Sequence, residues 1–120
     1  MRTLVKLTLA AALVAASTGA FAHAQLQDAV PPVGGTVTSA SQVRLHFSEG
    51  VEPHFSSISL KNEGGAEVAH GKPAVDPADN SVLIVKTSAP LAPGVYTVSW
   101  KAVSVDTHHT QGSFQFTVKP

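Results

Sequence analysis

The sequence predicts an all-β domain, a Greek-key sandwich or barrel of about seven strands, preceded by a cleaved leader. Three observations predict it. The ordered-looking segments alternate apolar and polar residues with period two. Turn-forming clusters recur between them, at the spacing of sandwiches and barrels. After residue 22, no stretch of about ten residues or more carries a helical apolar stripe.

The elements follow in chain order. Residues 1–22 read as a secretory signal peptide: Arg2 and Lys6 form the basic start, residues 7–16 the apolar run, and Ala20-Phe21-Ala22 the small-residue cleavage site. A membrane anchor fits less well, because Thr8, Ser17, Thr18 and Gly19 interrupt the run short of the ~20 residues a span requires. Cleavage leaves one domain, residues 23–120, beginning at His23, and places it in the bacterial periplasm. Val43, Leu45 and Phe47 then face one way, with Arg44 and His46 on the other side. Ile58 and Leu60, then Tyr96, Val98 and Trp100, then Phe114, Phe116 and Val118 repeat the pattern. Turns are expected at Pro31-Pro32-Val33-Gly34-Gly35, Asn62-Glu63-Gly64-Gly65, Asp76-Pro77-Ala78-Asp79-Asn80 and Ala92-Pro93-Gly94. The run from Leu91 to Tyr96 fits a tyrosine corner, in which a Tyr entering a strand bonds back to the preceding crossover.

Composition excludes several functions. Eight Lys+Arg balance eight Asp+Glu, so bulk electrostatics would not hold nucleic acid. Without cysteine there is no disulfide, thiolate zinc site or cysteine nucleophile. Neither G-x-S-x-G nor H-E-x-x-H occurs, and no Gly-rich loop opens a helix. The leader also removes Met1, the only methionine, leaving a mature chain without sulfur.

Two features remain. Cleavage after Ala22 gives His23 a free α-amine beside its imidazole, and the two nitrogens can chelate one ion in a six-membered ring. The amine pKa, about 7.7–8.0, lets a metal displace its proton near neutrality. Taken alone, His23 reads more simply as a solvated terminal residue. The second feature is Asp106-Thr107-His108-His109, after the long strand beginning at Val95. If extended backbone continues, Asp106 and His108 share a face and can bind one ion from one side, with His109 turned away unless the strand has already bent. Its alternative is an exposed polar loop. Together, two imidazoles, an amine and a carboxylate make an N3O set that suits Cu(II), with no soft sulfur donor to favour Cu(I). Zn(II) accepts the same donors in a tetrahedron.

These residues resemble the CopC family of small bacterial periplasmic copper-binding proteins over essentially the whole mature length. The resemblance runs through His23, then the Pro-x-x-Gly turn from Pro32 to Gly35, then Val43-Arg44-Leu45-His46-Phe47-Ser48-Glu49. It continues through Pro90-Leu91-Ala92-Pro93-Gly94-Val95-Tyr96, then Trp100-Lys101-Ala102-Val103-Ser104-Val105-Asp106-Thr107-His108, and Gly112-Ser113-Phe114. It implies a cupredoxin-like β fold and a Cu(II) site made by the amine and ring of His23 with Asp106 and His108. It also implies that Glu49 lies beside that site and orients a ligand through a hydrogen bond. Lacking a Met-rich loop, the chain looks like the sub-group that binds only oxidised copper. His109 stands where the family pattern has a non-ligand. His46, His54 and His70 match no family ligand.

The implied function is copper sequestration or carriage in homeostasis and resistance, without catalysis. The partners are the copper ion and an inner-membrane transporter of the CopD type, with neither nucleic acid nor membrane insertion of the mature chain. A histidine-brace copper oxidase is the enzyme alternative. Such enzymes lack the equatorial carboxylate and are usually larger, with a flat aromatic substrate face. A metal-free β-sandwich interaction module is the third class.

Overall fold

The computed structural model describes residues 24–120, and the leader and His23 lie outside them. Eight strands form two sheets: β1 (Leu26–Val30), β2 (Thr36–Val37), β3 (Gln42–Phe47), β4 (Ser57–Lys61), β5 (Ala74–Asp76), β6 (Asp79–Lys86), β7 (Gly94–Val103) and β8 (His109–Val118). One sheet has the order β1-β3-β6-β5 and the other β2-β8-β7-β4. Every pairing is antiparallel except β2 with β8. Eight rather than about seven strands are found because β2 has only two residues, too few to display a period.

The alternation decides which face is buried. Val43, Leu45 and Phe47 of β3 are inside, as are Ile58 and Leu60 of β4. Tyr96, Val98 and Trp100 of β7 meet Phe114, Phe116 and Val118 of β8 on the opposing sheet's inner face. β6 is less legible, because Val82-Leu83-Ile84-Val85 is apolar without interruption. Its inner residues are Leu83 and Val85. Val82 and Ile84 pair with His46 and Arg44 on the outer face, where those long side chains shield them.

Two aromatic contacts tie the core together. Phe47 and Trp100 meet edge to face across the two sheets, centroids 5.1 Å apart, and Tyr96 stacks on Phe116 at 5.5 Å. Such geometry adds to the burial of the rings. The tyrosine corner is present, with the Tyr96 hydroxyl donating to the Ala92 carbonyl at 2.6 Å. Gly112, opposite Trp100 in the β7–β8 pair, leaves the space its indole fills. A Cβ there would stand 2.7 Å from the Trp100 ring atom Cζ2. Gly112→Ala is therefore expected to destabilise the domain by about 1–3 kcal/mol, read as a lower urea midpoint. An unchanged midpoint would mean that the indole has room to move.

Candidate metal centre

The β7–β8 hairpin carries both candidate ligands that the described residues include. Its last strand pair is Val103 with His109. Beyond it, Ser104 N–H donates to the His108 carbonyl at 2.9 Å, and Thr107 N–H to the Ser104 carbonyl at 2.8 Å. Thr107 adopts φ +74°. A reverse turn followed by a left-handed residue is a recognised three-residue hairpin closure. The strand has thus already turned at Asp106, and the expected shared face of an extended strand is not what joins Asp106 to His108. The bend at Thr107 performs that task, leaving Asp106 Oδ1 and His108 Nδ1 3.1 Å apart.

That separation suits metal binding. Two donors about 2.0–2.1 Å from one ion and adjacent in its coordination shell stand roughly 3 Å apart. Both side chains are exposed. The Ser104 hydroxyl, and after it the His108 ring, hold the Asp106 carboxyl below its ordinary value of 3.8. The carboxylate is thus ionised, as a ligand must be, throughout the neutral and mildly acidic range. Among the described residues, no three His, Asp or Glu side chains group as a metal site. The pair needs further donors.

The first described residues reach this hairpin. Thr110 Oγ1 donates to the Ala24 carbonyl at 2.8 Å. On the other side, Gln25 N–H donates to Ser48 Oγ at 2.9 Å, and Ser48 N–H returns a bond to the Gln25 carbonyl at 2.8 Å. Ala24 is fully buried. His23, its neighbour in sequence, lies outside the described residues. The segment after β3 also reaches the hairpin: Val105 N–H donates to Gly50 and Glu52 N–H to Val103, and Val51 pairs with Ser104. Half-buried Glu49 therefore sits between a residue that holds Gln25 and one that holds Val105.

The other histidines are elsewhere or face away. His109 is exposed on β8, at a position alternating with inward Thr110, so it belongs to the sheet's outer face. His46 bonds Asp28 at 3.0 Å on the other sheet. His70 Nδ1–H donates to the Gly71 carbonyl at 2.8 Å, and His54 is exposed in a turn. The sequence reading missed the hydroxyls of Ser48, Ser104 and Thr110. The available signal was a polar Thr110 in phase with inward-facing Phe114 and Phe116.

The CopC domain family model matches residues 26–119. The chain belongs to the CopC family. It is 35% identical over 117 residues to copper resistance protein C of Pseudomonas syringae pv. tomato, covering 93% of each chain. It is 39% identical over 100 residues to protein YobA of Escherichia coli strain K12, covering 82% of this chain and 81% of that one. Among solved structures, it resembles PcoC, a methionine-rich copper resistance protein from Escherichia coli. Identity there is 35% and the TM-score 0.74, with 82% of this chain and all of that chain covered.

The hydroxyl that secures the first described residues can be tested. Thr110→Val keeps the shape and removes the bond to Ala24, which is expected to cost about 1 kcal/mol. Hydrogen exchange at the Gln25 amide should accelerate. Unaltered exchange would show that Ser48 alone secures the segment.

Proposed function

We infer that this CopC-family copper-binding protein holds Cu(II) through the amine and ring of His23 together with Asp106 and His108, in copper homeostasis and resistance. The observation that carries the reading is the double anchorage of residues 24 and 25, with Thr110 on the hairpin side and Ser48 beside Glu49. His23 is one peptide unit, about 3.8 Å between Cα atoms, from a residue held against the ligand-bearing hairpin. Two nitrogens from His23, one from His108 and an Asp106 oxygen then complete the N3O set, which favours tetragonal Cu(II). Glu49 lies beside the ion and orients a ligand.

The four donors fill the equatorial positions, so the ion is cargo and no catalytic step is assigned. The basic, apolar and small-residue pattern of residues 1–22 supports export to the periplasm with cleavage after Ala22. An inner-membrane CopD-type copper transporter is the proposed exchange partner, on the strength of the family likeness.

A Cu(II) titration followed by electron paramagnetic resonance tests the ligand set. Protein beginning at a free His23 should give a one-to-one, nitrogen-rich signal. Two residues added ahead of His23 should weaken or alter it. Identical spectra would remove the amine from the set.

Acidification provides a separate check. Protons compete with the metal for the nitrogen donors, so binding weakens as the pH falls. Asp106, held below 3.8, keeps its charge until last. Copper should therefore leave between about pH 6.5 and 4, as measured by bound metal after desalting at each pH. Full occupancy at pH 3 would contradict this ligand set.

A further inference from the structure

Both candidate ligands converge on one buried hydroxyl. Ser104 is completely buried. Its Oγ–H donates to Asp106 Oδ1, while the same oxygen accepts the backbone N–H of His108 at 3.1 Å. Among the described residues, the competing acceptor near that proton is the His108 carbonyl at 3.4 Å, and a charged carboxylate at shorter range prevails. The hydroxyl therefore has a fixed orientation, with one role toward each ligand-bearing residue.

We propose that Ser104 is a positioning residue for copper, holding the Asp106 carboxylate and the His108 backbone in binding geometry before the ion arrives. The inference rests on the reading that Asp106 and His108 are ligands. Asp106 is exposed, and water could satisfy its oxygens without Ser104, so the bond orients the carboxylate. The His108 ring bonds the same oxygen, Oδ1. Coordination through His108 Nδ1 would replace that ring-to-carboxylate bond, whereas coordination through Nε2 would leave it in place. The Ser104 bond is not in the ion's way and persists. It is a contact common to the loaded and empty forms, so loading does not have to order Asp106 afresh.

The test expresses the full chain with its leader and verifies the processed N-terminus by mass. Cu(II) affinity is then measured by competition with a chromophoric chelator, and the paramagnetic resonance spectrum is recorded. Ser104→Ala should bind Cu(II) about 10- to 100-fold more weakly, with an altered copper hyperfine splitting. In an Asp106→Ala background the same change should cost distinctly less than in the wild type, because only the bond to the His108 backbone is then lost. If the Ala variant does not fold, Ser104→Gly, which also removes the hydroxyl and adds no copper-binding group, carries the same expectation. Unchanged affinity and spectrum, or an equal loss in both backgrounds, would overturn the proposal. A wild-type protein that binds no Cu(II), or binds it regardless of Asp106→Ala, would instead overturn the ligand reading, and this inference with it.

Discussion

Everything at the hairpin end of this fold depends on the grip that both sheets exert on the first described residues. Ala24 is bonded by Thr110 of β8, and Gln25 exchanges two bonds with Ser48, just beyond β3. These contacts bridge 86 and 23 residues of sequence respectively, distances that only the closed sandwich can bring within hydrogen-bonding reach. Ordering a segment outside a strand costs conformational entropy. Here burial of Ala24 and three hydrogen bonds offset that loss and fix the direction of the chain beside the hairpin. The Phe47–Trp100 contact between the sheets keeps the two sides of the grip in register.

The hairpin supplies the opposite wall by a different device. A carboxylate and an imidazole two residues apart on a straight strand project in parallel. Left-handed Thr107 makes them converge instead, and the pair of bonds at Ser104 fixes their spacing. A β-branched residue in that conformation is uncommon, and the hydrogen bonds around it, Ser104 to His108 and Thr107 to Ser104, outweigh the local cost. The result is a hydrogen-bonded loop, with Asp106 and His108 on its exposed side and the Ser104 hydroxyl beneath.

Much of this was legible in the chain, for identifiable reasons. Period-two alternation exposes a strand whenever one face is wet, and so the inner residues of β3, β4, β7 and β8 could be read directly. It fails for β6, where arginine and histidine stems make the outer face hospitable to Val82 and Ile84. It fails also for β2, which is too short. Asp106 and His108 stood out because few other metal-binding residues sit so close together, but the way they meet did not, since it depends on one positive φ angle. The hydroxyl anchors were hidden more deeply. Ser and Thr are common and chemically quiet, and only tertiary contact reveals which of them face a ligand.

The indole of Trp100 deserves a last consequence. It is the only tryptophan in the chain, clamped against Gly112 and Phe47, four residues along β7 from Ser104. At about 3.4 Å per strand residue, roughly 14 Å of backbone separates it from the hairpin tip. A paramagnetic ion resting there would drain the indole's excited state, while zinc would leave it bright. With copper held at the hairpin as proposed, one emission band would report the arrival of an open-shell ion without any added dye.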